Sequence, residues 1–435
     1  ASSSFAADTL ADAFKNGKTS GELKAWYFQK DVEKDSTKSI GGGDVDIFTT
    51  AATLSYVTDS IYGFTFGATF QGAANPDVSD SAKAQYLGEN YAGGGVLSEA
   101  YVAYTIGKTT AKVGRQYIST PLVNGSGSRI YKESFEGAVL INTDLPGTTL
   151  IAGYVDKFQG RTSAVDSATV ATSVNGTDQG NAPKFRNSAA FTGGASAGLV
   201  AAFDDAYTAA VINKSIKDLT LTAQYAYVAD VAHVDNVSAY YTEVNYVLPV
   251  ANFKLGFDVN FRGSEAGSLL DAYALDGHYL AGRISISELA GFGASFAAGT
   301  TSEADNVIAG MGNGPTSYTS TLINGTSSRM TANTDSYLFA ATYDFSKIGV
   351  AGLTAVAQYG WTKQDAFKNY KGESQNHTDI TNFAAGVTYA VPYLKGLTTS
   401  LEYENARKEL SHATDATKNT DTTADAMWFK AGYKF

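Results

Sequence analysis

The sequence predicts an all-β fold: a transmembrane antiparallel β-barrel of about eighteen strands, with short periplasmic turns, long extracellular loops and a short N-terminal helix. Three observations carry that expectation. The last segment alternates without a break, with Met427, Phe429, Ala431, Tyr433 and Phe435 on one face of an extended strand and Trp428, Lys430, Gly432 and Lys434 on the other. An amphipathic edge strand in water invites aggregation, whereas a strand that meets lipid and pairs with the first strand of its own sheet needs no protection. The same texture runs through all 435 residues, with 44 Gly, 27 Tyr and 23 Phe but only 7 Pro and no Cys. No linker, charge block or compositional shift marks a boundary, so one barrel domain over residues 1–435 is expected where a globular chain of this length commonly divides. Finally, the chain lacks a run of about eighteen apolar residues for a helical span, and its mean hydropathy is near neutral, as in barrels that show only alternate residues to lipid.

The elements follow in order. Residues 1–18 read as a periplasmic segment with a short helix over 8–16, Asp8 as its N-cap and Gly17 beyond its end. Ala1-Ser-Ser-Ser4 resembles what remains after a signal peptide is removed behind a small residue. The clearest strand lies at 252–262, where Phe253, Leu255, Phe257, Val259 and Phe261 alternate with Lys254, Gly256, Asp258, Asn260 and Arg262. Strands near 219–227, 336–345, 353–362 and 397–404 read the same way, with aromatic residues near both ends of the apolar face, as lipid–water girdles require. A soluble sandwich also alternates, but does not demand those girdles. Connections alternate in length: short near Asp59, Gly107–Lys108, 144–147, Lys217–Asp218, 249–252, Ala290–Gly291, 347–352 and 392–396, and long over about 34–43, 74–95, 119–135, 158–204, 303–333, 364–378 and 409–423. Residues 186–214 can be parsed as one strand or more, and Gly41–Gly43 and Gly93–Gly95 read as loop tips.

Several function classes are excluded. A net charge of −11 argues against nucleic acid as a partner. The four histidines lie far apart, and no metal-ligand spacing, nucleophile elbow or phosphate cradle appears, so neither an enzyme nor a cofactor is expected. His278 shares parity with Leu280 and Ile284, but residues 280 and 282 along that face are Leu and Gly, so no serine stands beside it. The loop acids Asp415, Asp421 and Asp425 could ligate calcium in principle, but no calcium-loop spacing supports this.

Inward charge is the productive constellation. Arg262, Arg283, Asp258 and Glu99 fall on polar strand faces, and opposed charges in a water-filled lumen orient dipolar solutes and set ion selectivity. The Gly/Ser-rich loop over 119–135, third on the outer side, is expected to fold inward as a constriction carrying Arg129, Lys132 and Glu133. Arg115, in the strand before it, has the parity of Ala111 and Val113. On a lipid face at mid-membrane an arginine costs roughly 2–4 kcal/mol, so an inward Arg115 is expected, either through a bulge at Gly114 or because Ala111 and Val113 face inward or into a subunit contact.

At these residues the chain resembles the outer-membrane porin D family of substrate-specific channels. The resemblance rests on Ser98–Tyr104, Lys112-Val-Gly-Arg-Gln116, Pro121, Ser128–Arg129 and Phe135-Glu-Gly137, and the segment 8–23 is similar to porins of this type from Campylobacter-like bacteria. It implies an eighteen-stranded barrel in the bacterial outer membrane, in contact with lipid and lipopolysaccharide and assembled as a homotrimer. It further implies passive diffusion of small hydrophilic solutes and ions, with Arg115 and Arg129 on a basic ladder that guides carboxylates. Basic residues are sparse in the second half and acids prominent at 397–408, which departs from that pattern. A general cation-preferring porin and a plugged structural or adhesive barrel are the alternatives.

Overall fold

Alternating apolar and polar side chains give each segment one face for lipid and one for water, and the backbone can be satisfied in lipid only by a closed ladder. The computed structural model of the protein describes residues 7–34, 45–80, 82, 92–161, 180–192, 199–323, 329–367 and 374–435. Its wall begins with β1 (Lys18–Lys34), β2 (Val45–Val57), β3 (Phe64–Val78), β4 (Ala92–Ile106), β5 (Thr109–Gln116) and β6 (Ser134–Asn142). It continues with β7 (Thr148–Gln159), β8 (Ala206–Asn213), β9 (Leu219–Val231), β10 (Asp235–Val250), β11 (Phe253–Ala266) and β12 (His278–Leu289). It ends with β13 (Phe292–Thr301), β14 (Thr334–Asp344), β15 (Leu353–Gln364), β16 (His377–Ala390), β17 (Leu397–Ser411) and β18 (Thr420–Lys434). Each strand pairs antiparallel with the next, and β18 pairs with β1 from Glu22↔Lys434 to Lys34↔Thr422, closing eighteen strands into a barrel. Beyond β18, Phe435 and Gly21 exchange backbone hydrogen bonds of 2.9 and 3.1 Å at the seam.

Exposure follows the alternation. On β11, Phe257, Val259 and Phe261 are 44, 50 and 37% exposed, whereas Asp258, Asn260 and Arg262 between them are 8, 2 and 3% exposed. The first row therefore faces lipid and the second faces the interior. Aromatic pairs ring the outer face near both ends: Phe64 with Tyr104 at 4.6 Å on the turn side, and Tyr337 with Trp361 at 4.9 Å on the loop side. The short turns use left-handed backbone where the hairpin twist requires it, as at Ala290 and Gly291, with φ of 51° and 89°.

Three sequence expectations shift locally. The helix spans Leu10–Lys15 and is capped by Thr9 rather than Asp8, because the Thr9 hydroxyl accepts the Asp12 N–H at 3.1 Å and donates to the Asp12 carboxylate at 2.7 Å. Gly93–Gly95 lie inside β4 and not at a loop tip, while Gly41–Gly43 fall outside the described residues. Between 186 and 214 only β8 crosses the wall; Ser188–Thr192 and Leu199–Ala202 form a small antiparallel pair that Gly310–Met311 joins as a third strand. That sheet lies within the barrel, where Phe191, Phe203 and Met311 pack with Phe135, Phe158 and Val228 from the inner wall. The interior of one flank is thus a packed core made from outer loops.

Candidate functional site

Three loops turn inward and meet. The third outer loop (117–133) touches the seventh (302–333) through a Val123–Met311 bridge, with Asn124 N–H donating to Met311 at 3.0 Å and Met311 N–H to Leu122 at 2.7 Å. The returning fourth loop joins them where Gly312 N–H donates to Ala190 at 2.7 Å. Close backbone approach there needs glycine: a Cβ on Gly312, at φ 88°, would sit 2.3 Å from the Asn124 carbonyl oxygen.

Buried charge fastens this assembly. The Glu133 carboxylate is fully buried and accepts from the backbone N–H of Ser126 and Asn313, both at 2.9 Å, and from the Asn313 amide at 2.6 Å. Arg161 Nε stands 3.6 Å away. Arg262, on the inner face of β11, donates to the Ala309 and Thr316 carbonyls of the seventh loop at 3.2 and 3.0 Å. Glu404, on β17, accepts from Thr321 and Ile323 of the same loop at 2.8 and 2.7 Å. An unpaired buried charge is costly, so these groups hold the loops only because each has partners. Glu133 and Arg262, expected to line the water path, instead lie beneath it as anchors, because the loops they fasten cover them.

Further charges occupy the inner face of β1, β4, β5 and β18 and the end of the third loop, partly exposed except for the buried Lys24. Lys24 on β1 donates to the Ile130 carbonyl at 3.2 Å and lies 5.0 Å from the Trp26 ring. Lys430 on β18 pairs with Glu402 at 2.8 Å and stands 4.7 Å over Trp428. The guanidinium of Arg129 approaches the same Trp428 ring at 5.5 Å, and Lys132 lies 3.9 Å over Tyr117. Lys112 on β5 pairs with Glu99 at 3.4 Å. Burial pulls the Lys132 ammonium below the ordinary lysine value, against the opposing pull of Glu99. Burial likewise pushes the Tyr131 phenol up to about 12. Across the lumen, Arg283 and Asp258 are register partners on β12 and β11, joined at 2.8 Å, with Tyr318 of the seventh loop 4.7 Å from the guanidinium. Lys132 and Glu99 thus come together, Arg129 stands beside Trp428, Arg283 and Asp258 form a separate pair, and Trp26 and Trp428 complete an aromatic–cation row that sequence reasoning left unweighted. Their signal was parity: each falls on the polar row of its strand, where a girdle tryptophan does not belong.

Arg115 is a correction. Gly114 does take φ 117°, but neither the β4–β5 nor the β5–β6 register shifts there. Arg115 therefore stays on the face of Val113, away from Lys112. It pairs with Glu136 at 2.8 Å, which Lys157 also reaches at 3.1 Å, and its guanidinium lies 4.3 Å from the Phe185 ring. The strand ends at the next residue, so the cost of a lipid-facing arginine is reduced by position as well as by pairing. His278 also faces outward, 5.9 Å from Phe261. Asp421 pairs with Arg407, Asp415 caps Thr417, and Asp425 accepts from Asn405, so these acids serve three different partners.

A closed eighteen-strand barrel, apolar outside, charged inside and narrowed by its own outer loops, defines an outer-membrane porin. The model of the OprD family, outer membrane porins, matches residues 12–424. The chain belongs to the OprD family, whose members are passive channels and not enzymes, and its place is the bacterial outer membrane. Pseudomonas aeruginosa OpdQ is similar in structure at 16% identity and a TM-score of 0.71, over 98% of this chain and 99% of that one. Acinetobacter baumannii OccAB4 gives 18% identity and a TM-score of 0.71, over 97% and 98%. Pseudomonas aeruginosa OpdK, solved with vanillate, gives 15% identity and a TM-score of 0.70, over 97% and 100%. No curated protein sequence matches the chain.

Proposed function

We propose that this porin passes small hydrophilic solutes bearing a carboxylate, with the 119–135 loop as its constriction. The observation that carries this reading is the row of Lys24, Lys430, Arg129 and Lys132 beside Trp26 and Trp428 on one side of the lumen. Lys430, Arg129 and Lys132 are partly exposed and keep their charge available to a passing anion, with Trp26 half-buried beside them, while Lys24 and Trp428 lie buried behind this front. Vanillate, the ligand solved with OpdK, is an aromatic carboxylate, and the same pairing of ring and cation suits such a molecule here. A cation-preferring general porin is the second reading, favoured by the net charge of −11 and by Glu22, Glu99 and Glu402 beside three of the lysines. We place three copies around a common axis and the outer rim against lipopolysaccharide, as the resemblance implies. The deciding measurement is the reversal potential of single channels in a salt gradient, with benzoate as blocker. Anion preference with benzoate block supports the carboxylate reading; cation preference without block replaces it with the second, and absence of stepwise conductance replaces both with a plugged barrel.

A further inference from the structure

Above the charged zone, the inner wall of β15, β16 and β17 meets the seventh and eighth outer loops and leaves a recess of about 360 Å³. Its chemistry differs from the rest of the interior. Of its lining residues only Lys408 carries a formal charge and none is acidic; carboxamides and threonines make up most of the remainder. Thr362 and Thr378 point inward from neighbouring strands, and their hydroxyls have no hydrogen-bond partner among the described residues. Gln364 spends its amide N–H on the Ala332 carbonyl at 2.8 Å, which leaves its oxygen as an acceptor. Asn376 is oriented the opposite way: its oxygen accepts Ala413 N–H at 3.0 Å, which leaves its NH₂ as a donor. Phe367 supplies one half-buried aromatic ring, and the Lys408 ammonium makes no ion pair among the described residues.

We propose that this recess is a saccharide-binding site at the outer mouth of the channel. A dissolved sugar presents hydroxyls that both donate and accept around a ring whose C–H faces are weakly apolar. The recess offers the complement: acceptors at Gln364, Thr362 and Thr378, donors at Asn376, Thr378 and Lys408, and an aromatic face at Phe367. A carboxylate alone would use only Lys408 and leave the amide and hydroxyl groups unmatched. A purely apolar solute would bury them unpaired. The site is therefore selective for polyhydroxylated solutes, and it acts before the aromatic–cation row.

The test is interruption of single-channel current by maltotriose added on the loop side, compared with a polyethylene glycol of equal hydrodynamic size. Neither probe is charged, so the result is separate from the carboxylate reading. Maltotriose is expected to interrupt the current where the polymer does not, and Phe367→Ala to raise its half-blocking concentration about tenfold, the upper end for one aromatic contact. Thr378→Val is the second variant, and both are first checked for the heat-modifiable gel mobility of a folded barrel. Equal effects of sugar and polymer, or block unchanged in both folded variants, overturns the proposal.

Discussion

Arg129 and Arg262 are both inward arginines, and they do opposite things. Arg129 leaves the third loop for the water path and lies against Trp428, whereas Arg262 leaves the wall and disappears under the seventh loop, 3% exposed and bonded to two of its carbonyls. The flank near β1 and β18 keeps Arg129 and Lys430 partly exposed, although Lys24 there is buried against the third loop; the flank near β11 uses its arginine to fasten the filling. Facing inward is thus a property of a strand's parity, while reaching water depends on which loop comes to lie above it.

That contrast can be broken most strongly at Arg262. Arg262→Ala strips two carbonyls of the seventh loop of their donor, and each buried carbonyl left unpaired costs about 1–3 kcal/mol. The expected result is a barrel that still closes but whose 303–323 segment is cut faster by protease and whose conductance rises; unchanged cleavage would deny the anchoring role. On the other flank, Arg129→Ala with Lys430→Ala should leave a closed barrel, since both residues lie on the lumen side of the wall and no inter-strand backbone bond depends on them. The double variant's reversal potential should nevertheless move toward cation preference, and an unmoved potential would remove the row from the selectivity argument. A smaller effect comes from Lys132. Its ammonium is held below the ordinary lysine value by burial, so raising the pH removes that charge before the exposed lysines lose theirs. Anion preference should therefore decline earlier in an alkaline titration than ordinary lysines allow, and Lys132→Arg should reduce the early decline. Smallest of all, Arg115→Ala should leave selectivity untouched and cost at most about 1 kcal/mol, because its partners Glu136 and Lys157 sit outside the lumen. A change in reversal potential in that variant would return Arg115 to the water path.

The wall was legible because a period of two is enforced at every crossing: one slip on β11 would put Asp258 and Arg262 into lipid. Arg115 shows the same rule from the other side. Strict alternation placed it outward, and the expected bulge was an appeal to energy that the strand end and Glu136 had already met. The filling was harder to read. Nothing periodic marks Ser188–Thr192 or Gly310–Met311 as strands, since each is short and paired with chain far away in sequence. One signal was available. Val307, Ile308, Ala309 and Met311 form an apolar run too dense for a solvated loop, and all four are buried. Glu133 carried no such mark, because a carboxylate in a Gly/Ser loop looks the same whether it meets water or the backbone of Asn313.

The tie from Glu133 to Asn313 joins groups 180 positions apart in the chain. Contacts so remote require the intervening chain to be placed before they repay its ordering. The third loop can bond to earlier strands, as Ile130 does to Lys24, but its tie to the seventh loop waits until β13 and the chain beyond it have been delivered. The part of the bore that these two loops bound is therefore set late in chain order, by internal docking as well as by the hoop of strands itself.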